Sequence, residues 1–163
     1  MPAGDLTTWW WRTGPVEPGA TVVFDLDGVL SDAAGRQHYL ERPRRDWEAF
    51  FAACGDDEVI AEVARLLEVL DDDLRIVLLT ARPLSVRPQT LGWLERYGLR
   101  WDLLIMRDVG DHRASRDYKH RSVRELRDAG FDLRLAFEDD RRNVDMFHVE
   151  GVPCVYIHSG YYD

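Results

Sequence analysis

The chain has 163 residues, of which 45% are hydrophobic and 31% charged, and a net charge of −9. That length supports one domain with a real core, and the acidic balance argues against a high-affinity, non-specific duplex binder, which carries a basic face. No apolar run approaches membrane-spanning length and no charged-then-apolar leader stands before the first strand, so neither a membrane partner nor export is expected. Cys54 and Cys154 have no metal or redox spacing and read as reduced thiols of a cytoplasmic protein.

Residues 1–19 carry Pro2, Gly4, Gly14, Pro15, Pro18 and Gly19 around Trp9-Trp10-Trp11. They predict an irregular arm whose tryptophans pack back on the domain; the alternative is a surface for stacking on a base or a partner. The remainder, residues 20–163, reads as one domain. An apolar run over 21–26 predicts a buried strand that ends in Asp25-Leu26-Asp27-Gly28. Residues 31–56, rich in Arg, Asp and aromatics, predict a cap-like insertion over the strand ends, with a helix at 47–53. Further along, a helix over 59–70 leads through the polar turn Asp71-Asp72-Asp73 into a strand at 74–80. Then come a helix at 89–97, a strand at 103–106, a helix at 120–129, a strand at 133–137, a helix at 143–149 and a strand at 153–157. Strands alternating with helices imply an α/β fold with a parallel sheet and right-handed crossovers.

In an extended strand residues i and i+2 share a side, so Asp25 and Asp27 are expected to converge where the first strand ends. Close carboxylates repel unless a cation sits between them or one takes a proton. The second strand ends in Thr80-Ala81-Arg82, Lys119 opens the helix before the fourth strand, and the fourth strand ends in Glu138-Asp139-Asp140. Each alone reads as a polar loop. Four in order after apolar strands share one sheet edge, and together they suit phosphoryl transfer. A carboxylate can attack phosphorus, a second can protonate the leaving oxygen, and a hydroxyl, an ammonium and a hard cation can hold the remaining oxygens. Mg²⁺ fits a donor set of two or three carboxylates. No Walker loop, Gly-x-Gly-x-x-Gly or His-Glu-x-x-His is present, so 5′-kinase and zinc-hydrolase chemistry are not expected of these residues.

These four motifs resemble those of the haloacid dehalogenase-like superfamily. The resemblance implies Asp25 as nucleophile, Asp27 as general acid then base, and Thr80 and Lys119 as holders of the phosphoryl oxygens. It also implies a Mg²⁺ held by Asp25, the Asp27 carbonyl and Asp139, with Glu138 and Asp140 close by. The fold implied is a Rossmann-like three-layer α/β domain with a five-stranded parallel sheet in the order 3-2-1-4-5 and a small or minimal cap. Within the superfamily, residues from about 21 onward are similar to the 3′-phosphatase domain of bacteriophage polynucleotide kinase/phosphatase. The similarity includes Gly35-Arg36, Arg82, Arg107, Gly110-Asp111, Arg113, Met146, Gly151-Val152, Cys154 and Ser159-Gly160. Arg36, Arg82 and Arg107, with Gly28 and Ala81, are thereby expected to bind substrate.

Three departures stand out. Val29 replaces the usual threonine, Glu138 stands where the relatives carry aspartate, and Ser115 stands where they carry an acid, leaving Asp139 or Asp140 as the metal ligand. The expected substrate is a phosphorylated nucleic-acid end or a nucleotide, with a separate kinase or ligase as a working partner. The alternatives are a phosphatase of another small phosphorylated metabolite and a non-catalytic binding module on the same fold. A broken first motif would favour the latter, and here the motif is intact.

Overall fold

In this computed structural model, which describes residues 7–162, the central strand β2 (Ala20–Phe24) is buried along nearly its whole length. Its Val and Phe side chains alternate between two separate cores, as period-2 geometry requires. Val22 and Phe24 enter one core with Ile76 and Leu78; Val23 enters the other with Val77 and Leu79. β2 pairs in parallel with β5 (Arg75–Pro83) on one side and with β7 (Asp132–Glu138) on the other. β6 (Leu103–Arg107) and β8 (Cys154–Tyr156) extend the sheet outward.

The helices divide between the faces. α2 (Ala61–Val69) and α3 (Arg87–Arg96) cover the Phe24 face through Val63, Leu67, Trp93 and Leu94. α4 (Ser115–Asp128) and α5 (Arg141–Val149) cover the Val23 face through Tyr118, Val123, Leu126, Met146 and Phe147. Among the five parallel strands the order is the expected 3-2-1-4-5, written β6-β5-β2-β7-β8.

A sixth strand corrects the sequence reading of residues 1–19. Trp9–Trp11 is not irregular: it forms β1, antiparallel to β6, with Trp9 opposite Ile105. Tertiary pairing supplies what three residues cannot nucleate alone. Trp9 is 6% exposed and meets Trp11 and Phe131 edge-on, so this arm does pack on the domain. Residues 1–6 of the expected arm, like Asp163, lie outside the described residues.

The insertion after β2 is a small cap. β3 (Ser31–Asp32) pairs antiparallel with β4 (Glu58–Val59), closing a unit that holds a 3-10 turn at Ala34–Tyr39 and α1 (Trp47–Ala52). Helix α4 starts at Ser115, not at residue 120, which puts Lys119 in its second turn rather than at its start. Strand β5 continues past Thr80 to Pro83, with an irregular ladder against β6 between Leu79 and Pro83. No helix among the described residues is long and apolar enough to cross a membrane.

Trp9→Ala is expected to lower the unfolding free energy by about 3 kcal/mol. Trp10, which is 42% exposed and lies under the Arg87 guanidinium, is expected to cost less than about 1 kcal/mol when replaced by Ala. Urea denaturation of the two variants checks the difference.

Candidate active site

Strand register brings the first acids together. Phe24 lies beside Leu78 of β5 and Phe137 of β7, so Asp25 falls level with Leu79 and Glu138 where the sheet ends. The Asp25 amide still donates to the Phe137 carbonyl at 3.1 Å, and the Asp25 carboxylate accepts from the Leu26 amide at 2.8 Å. From α4, buried Lys119 reaches over the same edge, 3.1 Å from Asp25 and 2.6 Å from Glu138. Asp25, Glu138 and Asp139 each offer an oxygen within 4.8 Å of the others.

Charge decides what this cluster wants. Three buried carboxylates face one ammonium. Burial, then the charge of Asp25, pushes Asp139 up to about 8, against a hydrogen bond from Ser159 that works the other way. Burial and Asp25 likewise raise Glu138 well above the usual carboxylate range. Burial works against the Lys119 charge, but Asp25 and Glu138 outweigh it and raise its pKa. Oδ1 of Asp139 is buried with no hydrogen-bond partner. With all three carboxylates ionised the group would carry an excess of two negative charges, and that excess and the orphaned carboxylate oxygen fit a hard divalent cation.

Asp27 takes a different place from the expected one. The chain leaves the strand at Phe24 and turns through bonds from the Val29, Leu30 and Ser31 amides to the Leu26 carbonyl, so the i, i+2 relation fails. The Asp27 carboxylate stays out of the acidic cluster and meets two buried arginines, Arg36 Nη2 at 2.7 Å and Arg82 Nη2 at 2.6 Å. Burial alone would raise its pKa; Arg82 and Arg36 outweigh this and hold it at about 2.

Asp57, which the sequence reading passed over, completes the group. It accepts from Arg36 Nε at 2.8 Å, Arg36 Nη2 at 2.6 Å and Ser31 Oγ at 2.6 Å, while its carbonyl accepts from Trp93 Nε1. Arg82 also donates to Ser31 and Thr90. Arg36 and Arg82 thus serve the cap and Asp27, with their donors spent inside the protein. In sequence, Asp56-Asp57-Glu58 looks like a solvated acidic stretch, and nothing in its pattern marks Asp57 as the buried partner of two arginines.

The other expected residues fall as follows. Thr80 is buried and its hydroxyl accepts from the Arg82 amide at 3.1 Å, keeping its own proton to give. Ala81 follows it, half-buried. Gly28 has φ +84, and a Cβ there would lie 2.1 Å from Asp139 Oδ2, so only glycine fits. Asp140 points elsewhere: it caps α5 through the Arg142 amide and pairs with the Arg142 side chain, which leaves Asp139 as the member of the carboxylate group. The Arg107 guanidinium lies over the Tyr118 ring and donates to the Arg113 carbonyl, with its Nε buried and unpartnered; its contacts do not lead to Asp25.

Residues 19–162 match the family described as the polynucleotide kinase PNKP phosphatase domain. The chain belongs to that family. It is similar, with 25% identity and a TM-score of 0.74, to a chain of the Pnkp1/Rnl/Hen1 RNA repair complex, over 94% of this chain and 47% of that one. It therefore spans about half the length of that relative, at 47%. At 15% identity it shares the fold of the class C acid phosphatase from Bacillus anthracis with tungstate bound (TM-score 0.60, 92% of this chain and 70% of that one). At the same 15% it shares the fold of a haloacid dehalogenase-like hydrolase from Streptococcus pneumoniae (TM-score 0.56, 83% of each chain). No curated protein matches the sequence. The PNKP phosphatase family is of haloacid dehalogenase type, and this chain is accordingly a phosphatase, with an acidic cluster suited to a divalent metal.

Two predictions follow from the charge networks. Asp57→Ala leaves Arg36 buried and half-paired, and is expected to cost about 3–5 kcal/mol in urea unfolding. The depressed Asp27 pKa contributes stability that is present above its ordinary value of 3.8 and lost as pH falls through about 2. Unfolding free energy is expected to drop by on the order of 2 kcal/mol over that range. The drop should be missing from Asp27→Asn in a pH series of urea titrations.

Proposed function

We propose that this chain is a Mg²⁺-dependent phosphomonoesterase that removes 3′-phosphates from polynucleotide ends through an aspartyl-phosphate on Asp25. The observation that carries the reading is the buried group of Asp25, Lys119, Glu138 and Asp139 at the end of the central strand. Membership of the PNKP phosphatase family and likeness to a chain of an RNA repair complex support the substrate.

Each residue has a task that its surroundings suit. Asp25 and Asp139 would hold the cation together with the Asp27 carbonyl, and Glu138 balances Lys119 beside them. The bound cation would draw charge from the phosphoryl oxygens and lower the repulsion that an incoming carboxylate meets. An Asp25 oxygen attacks phosphorus, and the bond from phosphorus to the 3′ oxygen breaks. Lys119 and the Thr80 hydroxyl hold the non-bridging oxygens, helped by the Gly28 and Ala81 backbone.

The leaving oxygen takes its proton from Asp27. Beside Arg36 and Arg82 that side chain is ionised in the free protein, the form that later accepts a proton from the attacking water. A phosphate dianion arriving next to it raises its proton affinity, and Asp27 takes up a proton from solvent that it then gives to the 3′ oxygen as the bond to phosphorus breaks. Water then cleaves the acyl phosphate and restores Asp25. Arg107, set apart from the cluster, contacts the nucleic-acid chain away from the reacting phosphate. The protein works in the cytoplasm, beside a separate kinase that rephosphorylates the 5′ end or a ligase that joins the healed ends.

Phosphate release with Mg²⁺ from matched oligonucleotides bearing 3′- or 5′-phosphate, and from 3′- and 5′-mononucleotides, tests the reading. Preferential release from the 3′-phosphorylated oligonucleotide is expected, with Asp25→Asn slower by at least about 10³-fold. Release mainly from mononucleotides would move the function to nucleotide metabolism, and release from none of the four would defeat the nucleic-acid reading.

A further inference from the structure

After β8 the chain turns back across the strand ends. The Ile157 amide donates to the Glu138 carbonyl at 2.8 Å, which pins this segment beside the last residue of β7. Two residues later Ser159 Oγ donates to Asp139 Oδ2 at 2.7 Å. The same oxygen accepts from the Tyr161 amide at 3.3 Å. A serine hydroxyl has one proton, so these two bonds settle its direction: it gives to Asp139 and receives from Tyr161. Tyr161 in turn anchors the segment on the cap, its hydroxyl donating to Asp32 Oδ1 of β3 at 3.2 Å.

The consequence falls on the carboxylate of Asp139. Its terminal torsion is soft, so nothing intrinsic decides which oxygen faces the cluster. Ser159 occupies Oδ2, while Oδ1 remains buried and unpartnered. Gly28 makes room for this arrangement, since a Cβ there would meet Asp139 Oδ2 at 2.1 Å and Ser159 Cβ at 3.1 Å. Three separate features thus converge on one oxygen pair: a donor for Oδ2, an empty partner position at Oδ1, and a backbone without a side chain alongside.

We infer that Ser159 is a positioning residue that holds Asp139 Oδ2 and presents Oδ1 to a divalent cation shared with Asp25, on a strap tied to the cap by Tyr161. The inference rests on the proposal that a cation occupies this cluster. It assigns a task to a segment that the catalytic motifs do not include, and it links the cap to the metal site through two residues of backbone. A hydrogen bond to the charged form also favours the ionised carboxylate, the form a metal needs.

Mn²⁺ titration of the purified protein, followed by the loss of free-ion EPR signal, reads metal affinity without any substrate. Ser159→Ala is expected to raise the Mn²⁺ Kd about 10-fold. Ser159→Thr, which keeps the hydroxyl, is expected to bind as the wild type does, and the melting temperature without metal should be alike in all three. An unchanged Kd in Ser159→Ala overturns the inference, and so does a wild type that binds no Mn²⁺. If Ser159→Ala does not fold, Ser159→Cys supplies a weaker donor of similar size, and a wild-type Kd there is equally fatal. Ser159-dependent Mn²⁺ binding in a protein that releases no phosphate from any oligonucleotide would support this inference and defeat the substrate reading.

Discussion

Buried charge has to be answered by buried charge, and the strand ends of this protein answer it in two different ways. Around Asp27 the answer is complete. Two arginines face two aspartates, with Ser31 and Thr90 taking further guanidinium protons, and the group needs nothing from outside. Around Asp25 it is incomplete: Lys119 alone faces three carboxylates, and one Asp139 oxygen has no partner. The balanced network fixes Asp27 and ties the cap to the strand end, and the unbalanced one has room for a cation. Burial makes both consequential, because a low dielectric raises the cost of a missing partner along with the strength of one that is present.

The two networks also sit on different structural supports. The arginine network joins the first strand end to the cap, since Asp57 precedes β4 and Arg36 lies in the 3-10 turn after β3. The acidic cluster joins β2, α4 and β7, all of which belong to the sheet and the helix layer on its Val23 face. Asp25 and Asp27, two residues apart, connect them on one side, and the Ser159–Tyr161 strap connects the cluster to the cap on another. The short turn at Gly28 lies between the two networks, with a positive φ and with Asp139 and Ser159 too close to admit a Cβ.

Much of this was legible in the sequence where local and tertiary demands agree. Val22-Val23-Phe24 and Ile76-Val77-Leu78-Leu79 are apolar on both faces, and in the structure each alternate residue enters a different core. That double burial made the parallel sheet readable and placed the polar residues after each strand on one edge. Legibility failed where long-range partners decide. Trp9–Trp11 is a strand because β6 pairs with it, although Pro and Gly on both sides argue for irregular chain. The first turn of α4 is polar and gave no periodic signal, so Lys119 was placed at a helix start instead of a second turn. Asp25 and Asp27 were expected to converge by strand geometry, but the strand ends before either. Asp57 belongs to no motif, Ser159 stands out only as part of the resemblance, and their partners reveal what each one does.

Glu138, Asp139 and Asp140 are chemically alike and adjacent, yet the backbone passes from strand to helix between the first and the last. Glu138 ends β7 and faces Lys119, Asp139 joins the acidic cluster, and Asp140 caps α5. Their different surroundings impose different tolerances on evolution. At position 140 a short side chain with an acceptor oxygen would still cap the helix, at the loss of the ion pair to Arg142. Position 139 has no such latitude, and a one-residue slip at this junction would keep the same three letters while dismantling the cluster.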